Sequence, residues 1–481
     1  MPVLPSSAMR ILFLHRPTLP ESRARSIRTI QTAAAVARAG FESRVIAGGL
    51  ARGDFRACLS FHGIGTGPLA GRLSVERLDS WGGMLFGWRA RRALRRGLIP
   101  GADCVAVINE MTPESALLAA IAKGSGMRVI LDLPWLSPLF LQRGRQQTLP
   151  PPPPPGGRTF SMLSLEGKTA LKLVGEDAPA DAHQHDDHDD HHDDHEHEKP
   201  SRQEPELPPN LDQSPAPPPP SAADSLDGIA LREALEQQAD LEASLLTIAD
   251  GWIFPHRAMM EAATRSLTEK RPRIVMPGGY AAPEGGSPPP GAISRDLDIL
   301  YYGDLGPEDG VETAIAAMPT LYPHKLAVAG TGTKQDRDRL RQAALSVGVF
   351  ERVTLLPEVA PADAWKFFAR AKVGVLPIPG IDPAGGDPVA PLALFEMMAA
   401  GMAIVASRLK AINEYAADGK EAILVTPDDP RPLADGIRSA LADPGLRDRL
   451  GAAAKSRAAS YTWDTRAGAL VDFATGLTRT G

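Results

Sequence analysis

Residues Pro391–Ser407 read PLALFEMMAAGMAIVAS, an apolar helix stopped by a glycine and followed by a buried strand. Gly401 supplies the helix stop, and the continuous apolar run after it is typical of a strand covered on both faces. Glu396 lies in the first turns of this helix, where the dipole favours a carboxylate and where it could accept two hydrogen bonds from a sugar diol. The alternative is a helix-stabilising glutamate on the surface.

The same alternation of strand and helix extends outward from this stretch over the second half of the chain. Helices fit between nearly all of the predicted strands, which indicates a doubly wound α/β domain. These strands are predicted at Asp298–Tyr302, Lys325–Ala329, Arg352–Leu356, Val373–Leu376, Ala403–Ala406 and Ala422–Val425, with a final helix at Thr465–Thr478.

The first half of the chain repeats the pattern. An Ala-rich helix at Ser26–Ala39 ends at Gly40, and later helices are predicted at Pro113–Lys123 and Asp227–Ala249. The two halves together predict two Rossmann-like domains whose strands end at a common cleft. The strands are predicted at Arg10–Leu14, Arg44–Ala47, Cys104–Ile108, Arg128–Leu131, Gly251–Phe254 and Arg273–Met276.

A low-complexity insert interrupts the first half. Residues 145–225 contain proline runs and the segment HQHDDHDDHHDDHEH at His183–His197, and such a composition predicts disorder. The run could bind a transition metal weakly in many registers, or it is a solvated acidic linker. The predicted organisation is therefore 9–144 with 226–285 as the N-terminal domain, 145–225 as the insert, 286–296 as the linker, 297–465 as the C-terminal domain and 466–481 as a last helix.

Two further motifs follow predicted strands in the second half. Tyr302–Val311, YGDLGPEDGV, and Gly330-Thr331-Gly332 are small-residue turns through which backbone amides can approach a diphosphate. Each is also compatible with an ordinary turn between a strand and a helix.

Taken in order, these pieces resemble the donor domain of the family-4 retaining glycosyltransferases of the GT-B fold. The resemblance covers about residues 297–465 and rests on YYGDLGPEDGVETAI, LAVAGTG, ERVTLLPEV, AKVGVLP, PLALFEMMAAGMAIVAS and INEYAADGKEAILVTPDD. It implies transfer of a sugar from a nucleoside diphosphate-sugar to a glycan or lipid-linked acceptor, in cell-envelope polysaccharide synthesis, with no metal or other cofactor required.

The resemblance also implies site residues. Glu396 matches the second of two family glutamates and would hold the ribose; the first would fall at Pro388, and Asp387 stands one place away. Pro357–Val359 matches the loop that contacts the base, and His15 is the acceptor-side candidate, although it and His256 are also compatible with structural roles. The predicted donor-binding residues are Gly303, Asp304, Leu305, Gly330, Thr331, Gly332, Glu358, Val359, Pro391, Leu394 and Phe395.

The sequence departs from the family in its charges. Asp304 and Asp309 stand where the family often has basic residues that neutralise the diphosphate. Lys334, Arg408 and Lys410 are the candidate replacements. The alternative is a catalytically weak or inactive homologue that serves as a binding or scaffold protein.

The remaining features concern location and partners. Trp81–Gly97, WGGMLFGWRARRALRRG, is either a basic amphipathic helix for an anionic membrane or a packed helix with a solvated arginine face. Cys58 and Cys104 lack zinc or disulfide spacing. Residues 176–198 hold eleven acids and no Lys or Arg; without them, 47 acids remain against 52 bases, too mild an excess to indicate nucleic-acid binding. No signal peptide or spanning segment is recognisable, so a cytoplasmic or peripheral protein is expected.

Overall fold

The computed structural model describes residues 9–19, 22–50, 55–65, 69, 71–78, 86–97, 103–133, 136, 161–165, 168–172, 226–267, 270–281, 295–380 and 391–479. Within these ranges two parallel sheets dominate. The described residues 161–165, 168–172 and 226–234 belong to a unit of their own, and the other described residues form a second unit that contains both sheets.

The first sheet has seven parallel strands in the order β3-β2-β1-β4-β5-β8-β9. The strands are β1 (Met9–Leu19), β2 (Glu42–Leu50), β3 (Leu73–Arg77), β4 (Asp103–Ile108), β5 (Arg128–Asp132), β8 (Gly251–Phe254) and β9 (Arg273–Val275). The helices of this half are α1 (Ala24–Arg38), α2 (Phe55–Phe61), α3 (Phe86–Gly97), α4 (Pro113–Gly124), α5 (Leu226–Ile248) and α6 (Arg257–Ser266).

The second sheet has six parallel strands in the order β12-β11-β10-β13-β14-β15. These are β10 (Leu297–Asp304), β11 (Leu326–Thr331), β12 (Val353–Leu355), β13 (Ala371–Leu376), β14 (Ala403–Ser407) and β15 (Ile423–Val425). The accompanying helices are α7 (Val311–Ala317), α8 (Lys334–Ser346), α9 (Ala364–Arg370), α10 (Leu392–Ala399), α11 (Lys410–Tyr415), α12 (Pro430–Ala442), α13 (Pro444–Ala458) and α14 (Trp463–Arg479).

Inside the low-complexity insert, the described residues form a two-stranded antiparallel hairpin. Its strands are β6 (Ser161–Leu165) and β7 (Lys168–Lys172). The remainder of the predicted disordered segment, including His183–His197, lies outside the described residues, as does most of the predicted linker.

Both sheets reverse their strand order once, between β1 and β4 and between β10 and β13. Ligands of doubly wound folds bind outside the carboxyl ends of the strands at such a switch point. Ser22, which follows β1, is hydrogen-bonded to Thr331 at the end of β11 and to Glu358 beyond β12. The carboxyl ends of the two sheets therefore face each other, as the sequence predicted.

Two apolar layers cover each sheet, and the last helix crosses from one half to the other. Trp463, Leu470 and Leu477 of α14 belong to the same buried cluster as Ile11, Val45 and other residues of the first sheet. Helix α14 thus covers one face of the first sheet. This arrangement of two opposed Rossmann-like sheets is the predicted GT-B fold.

Candidate functional site

Glu396 is the fifth residue of the eight-residue helix α10, and its side chain is buried. No hydrogen bond or ion pair to its carboxylate is found within the described ranges. Because burial disfavours the charged form, the pKa of Glu396 rises to about 7. The surface alternative is therefore wrong. The expected stabilisation of the carboxylate by the helix dipole is also wrong, because Glu396 lies beyond the first turn of α10, where that effect fades.

The neighbours of Glu396 place it at the end of β10. Burial and the nearby carboxylates of Glu396 and Asp304 raise the pKa of Tyr302 well above its usual value. Glu396 and Asp304 therefore both act electrostatically on the Tyr302 hydroxyl. A buried carboxylate at this edge of the sheet, without a partner within the described ranges, can accept hydrogen bonds from two hydroxyl donors.

The loop between β10 and α7 is acidic. Asp309 receives a hydrogen bond from the Gly306 amide at 2.9 Å. Burial, together with Asp304 and Glu308, nevertheless raises the pKa of Asp309 to about 7. Asp304 and Asp309 thus lie close enough to repel each other, which agrees with the departure from the family noted in the sequence.

Two arginines of α8 lie beside this loop and were missed by the sequence analysis. Arg339 donates to the Leu305 carbonyl at 2.5 Å and pairs with Glu312. Arg337 donates to the carbonyls of Gly330 and Leu356 at 2.9 and 2.7 Å. The available signal was their position in α8, four and six residues after its N-cap Thr333. Both hold loop backbone in place at the carboxyl edge.

The three cations proposed from the sequence differ in availability. Arg408 is engaged by Asp418 at 2.5 Å and by the Leu424 carbonyl at 2.6 Å. Lys334 and Lys410 are exposed first residues of α8 and α11, which follow β11 and β14. Neither lysine has an ion pair among the residues that the structure describes. Lys334 and Lys410 are therefore the available cations of this edge.

The small residues of the two turns have packing reasons of their own. A Cβ on Gly330 would lie 2.0 Å from the Gly303 carbonyl oxygen, and one on Gly332 would lie 2.7 Å from the Leu305 Cβ. On Gly303, a Cβ would lie 2.9 Å from the Tyr301 hydroxyl. Close backbone packing thus requires glycine at position 330 with or without a ligand, whereas Gly303 and Gly332 make room for the side chains of Tyr301 and Leu305.

Glu358 and Thr331, predicted from different loops, meet at one point. Thr331 donates to Ser22 at 2.8 Å, and Ser22 donates to Glu358. Ser22 belongs to the N-terminal half and was not predicted, because no local pattern links residues more than 300 positions apart. This contact joins the two halves at the carboxyl edges of their sheets.

Several other predicted donor residues belong to the core. Leu394 and Phe395 are fully buried, and Phe395 packs edge-on against Tyr415 and Tyr461 at 5.1 and 5.2 Å. Leu305 and Val359 are buried too, and Pro391 is the N-cap of α10. The side chains of Leu394 and Phe395 therefore position α10 and do not face the crevice. Asp387 and Pro388 lie outside the described residues.

His15 lies inside β1 and is fully buried. Its Nε2 is 2.9 Å from the Ser26 hydroxyl, and its Nδ1 is 3.5 Å from Thr29 Oγ1 and 3.9 Å from Glu110. Burial, Arg25 and His62 lower the pKa of His15 to about 3. A neutral, hydrogen-bonded imidazole at the β1/β4 switch fits a positioning role better than proton transfer. His256 caps α6 by accepting from the Met259 amide at 3.2 Å.

Three further kinds of feature concern the described part of the chain, namely metal sites, disulfides and membrane-spanning helices. No group of three His, Cys, Asp or Glu side chains there could hold a metal ion. Cys58 and Cys104 are buried free thiols. None of the described helices combines the length and apolar character needed to cross a bilayer.

Comparisons with known proteins agree with this geometry. Residues 288–457 match the model of the family described as glycosyl transferases group 1. A glycogen synthase of Mycobacterium tuberculosis is 33% identical over 180 residues, which are 35% of this chain and 40% of that protein. The match therefore spans about two fifths of the length of that relative.

Solved structures resemble the whole chain. A sucrose-phosphate synthase from Thermosynechococcus elongatus superposes with a TM-score of 0.62 at 15% identity, covering 98% of this chain and all of the other. Anabaena HepE in complex with UDP-glucose gives a TM-score of 0.59 at 14% identity, covering 97% and 99%. At these identities the likeness establishes the GT-B fold alone.

Proposed function

We propose that this protein is a retaining glycosyltransferase of family 4 that uses a nucleoside diphosphate-sugar as donor. The observation that carries the proposal is the buried carboxylate of Glu396 at the carboxyl edge of the second sheet, which has no partner among the described residues. Support comes from the family match over the same half and from a solved structure of the same fold that holds UDP-glucose.

Glu396 would bind the two ribose hydroxyls of the donor. A carboxylate without partners accepts two O–H donors, and those hydrogen bonds favour its charged form. Donor binding would therefore lower the raised pKa of Glu396 and would be weakened by its protonation. On this basis the contribution of Glu396 to donor affinity increases between pH 6 and pH 8, around its pKa of about 7.

The diphosphate needs positive charge because the leaving group gains negative charge in the transition state. Lys334 and Lys410 are the two cations that would supply it, since each starts a helix at the carboxyl edge of the second sheet. Arg337 and Arg339 would act indirectly by fixing the loops of Gly330 and Leu305. Asp309, whose pKa is also raised to about 7, would repel the diphosphate less when it is protonated, so its effect on affinity opposes that of Glu396 as the pH rises.

In this proposal the acceptor hydroxyl attacks the anomeric carbon from the face that the nucleotide leaves, so the anomeric configuration is retained. The acceptor proton passes to the leaving phosphate oxygen, so no side-chain base is required. Glu396 orients the donor and takes no proton from the acceptor. A glycan or lipid-linked acceptor in cell-envelope polysaccharide synthesis completes the proposal, with no metal required.

The test is a thermal-shift and calorimetry screen of the full chain against nucleoside diphosphates and their sugars. A ligand present at about 100 times its Kd stabilises the native state by roughly 2.7 kcal/mol, which raises the melting temperature. We expect one nucleotide to stabilise the wild type and Glu396→Ala to lose this shift. Anomeric NMR of a transfer product then reports retention or inversion.

Glu351→Ala is the matched control, because Glu351 is an exposed glutamate of the same half in the turn before β12. It should bind like the wild type. A folded wild type that binds no nucleotide in the panel contradicts the proposal, and so does a Glu396→Ala variant with unchanged affinity.

The acidic loop favours a second candidate function, a GT-B protein that binds a partner without catalysing transfer. Burial, Asp304 and Glu308 raise the pKa of Asp309, and the neighbouring carboxylates make the loop intrinsically unfavourable for a diphosphate. Replacing Asp304 and Asp309 by asparagine separates the two candidates. Tighter nucleotide binding and faster transfer support the enzyme, whereas a variant that still binds no nucleotide supports the scaffold.

A further inference from the structure

One face of α3 is basic and carries an exposed aromatic ring. The helix has five arginines and no acidic residue among its twelve positions. Trp88, Arg91, Arg92 and Arg95 are exposed and spaced at i, i+3, i+4 and i+7, so they lie on a single stripe. The opposite stripe of Phe86, Ala90, Ala93 and Leu94 is buried against the first sheet.

The apolar part of this Trp88 stripe is large. The Trp88 side chain is 60% exposed, and Leu117 of α4 is 42% exposed. A Cβ built on Gly87 would lie 3.9 Å from Leu117 Cδ2, which places Leu117 beside the first turn of α3. The Arg92 guanidinium lies 5.6 Å from the centre of the Trp88 ring, so an apolar and a cationic group project together.

The charge of the stripe is not cancelled locally. Glu76 pairs with Arg96 at 3.0 Å and with Arg44 at 2.6 Å, off the stripe. In the described part of the chain no carboxylate pairs with Arg91, Arg92 or Arg95. Three cations beside an exposed indole therefore face solvent together.

We propose that this stripe docks on the surface of a membrane rich in anionic phospholipid. Arginines and tryptophan on one helix face combine electrostatic attraction to anionic headgroups with insertion of an amphipathic ring at the interface. Since α3 connects the parallel strands β3 and β4, its first turn lies at the carboxyl edge of the first sheet. Docking through Trp88 thus brings the crevice edge toward the bilayer.

The experiment measures co-flotation of the full chain with vesicles, without any sugar or nucleotide. We expect binding to vesicles of phosphatidylcholine with equimolar phosphatidylglycerol, no binding to phosphatidylcholine alone, and loss of binding as salt is raised. The double variant Arg91→Gln/Arg92→Gln should bind on the order of 20-fold more weakly, at about fivefold for each arginine.

The matched control is Arg341→Gln/Arg449→Gln, which removes the same charge from two exposed arginines of the C-terminal half. It should bind vesicles like the wild type. Brominated lipid should quench tryptophan fluorescence in the wild type and quench it less in Trp88→Phe. Circular dichroism melting confirms that each variant is folded.

Three results would overturn the proposal. They are absence of binding to anionic vesicles, equal weakening by the control pair, and preferential binding of the stripe to RNA over vesicles. Because no donor is present in the assay, its outcome does not depend on the proposed transferase activity, and a failure of either can be recognised separately.

Discussion

At the residue scale, Glu396 is buried and has no hydrogen-bond or ion-pair partner in the part of the chain that the structure describes. Burying a carboxyl group is tolerable when it is neutral and unfavourable when it is charged. The raised pKa of about 7 expresses this conflict. A protein keeps such a group only at a cost in stability, which a donor that hydrogen-bonds the carboxylate would offset.

The first prediction is that Glu396→Gln stabilises the free protein at alkaline pH. The folded pKa is raised from 4.5 to about 7, so the wild type loses stability as pH rises through that interval. A neutral glutamine does not. Urea unfolding at pH 5 and pH 8 should show the variant gaining on the order of 3 kcal/mol relative to wild type across this range.

The exposed Glu351→Gln should follow the wild type at both pH values. If Glu396→Gln and wild type change in parallel between pH 5 and pH 8, the glutamate is not buried in its charged form, and the interpretation of the site is wrong.

The second prediction concerns His62, whose two ring nitrogens are buried and lack a hydrogen-bond partner within the described residues. Burial lowers the pKa of His62 from 6.5 to about 4. The wild type therefore has its full stability with respect to this group above pH 6.5 and loses stability as the pH falls toward 4, because the unfolded state binds the proton more readily. His62→Leu should stabilise by about 1 kcal/mol at pH 8 and by roughly 2–3 kcal/mol more near pH 4.5.

Urea unfolding at the two pH values measures this difference. A His62→Leu variant that is less stable than wild type at both pH values would show that the imidazole is held by a partner, and the prediction would then be wrong.

At the scale of elements, the turn between β10 and α7 depends on one glycine. Gly310 has φ +72°, and a Cβ there would lie 2.0 Å from the Pro377 carbonyl oxygen at the end of β13. A side chain therefore meets both a left-handed backbone and a backbone atom that cannot rotate away.

The third prediction compares Gly310→Ala with Gly419→Ala. Gly419 has the same φ of +72° but nothing within 4 Å of an added Cβ. The Gly419 variant should lose about 1 kcal/mol from the left-handed backbone alone. The Gly310 variant should lose at least about 3 kcal/mol, because the collision adds to that loss. Equal unfolding free energies for the two variants would show that the loop moves away at little cost.

Most strands were predictable because continuous apolar runs mark parallel strands that are buried on both faces. Val373–Leu376 and Ala403–Ala406 were found within two residues of β13 and β14 for this reason. The edge strand β3 was missed, since LSVER is half exposed and has no apolar run. The short helix α2 lacked a periodic pattern as well.

The site was predictable where it depended on local sequence. Glu396 and the acidic loop could be recognised because each lies within one element and its adjoining turn. Ser22 could not be predicted, because its contact with Glu358 forms only when the two halves meet. The burial of Phe395 was hidden for a similar reason, since its partners Tyr415 and Tyr461 come from later elements.

At the scale of the whole molecule, a buried charge cluster ties the last helix to the first sheet. Arg466 of α14 pairs with Asp132 at the end of β5 and donates to the carbonyls of Met276 and Pro277 at 2.6 Å each. Arg28 lies 4.0 Å from the same aspartate. Two guanidinium groups thus share one carboxylate, and burial lowers the pKa of Arg28.

Further contacts join the halves near this cluster. Tyr415 of α11 donates to the Pro255 carbonyl at the end of β8, and Glu414 accepts from the Arg257 amide at 2.7 Å. These bonds link the second half to the first along the carboxyl edge. They lie near the Arg466 cluster, so neighbouring contacts hold both α14 and the two opposed sheets in place.

The last prediction is that Arg466→Met destabilises the whole molecule, whereas Arg38→Met does not. Removing Arg466 leaves Asp132 with the more distant Arg28 and leaves two carbonyls without their donor, which should cost about 3–5 kcal/mol. Arg38 of α1 pairs with Asp464, which lies on α14 like Arg466. Asp464 is 68% exposed, however, and such surface pairs contribute less than about 1 kcal/mol. Urea unfolding gives both values, and proteolysis after α13 should accelerate only in the Arg466 variant. If the two variants lose equal stability, then apolar packing of Trp463 and Leu470 holds α14 in place, and the buried cluster serves another purpose.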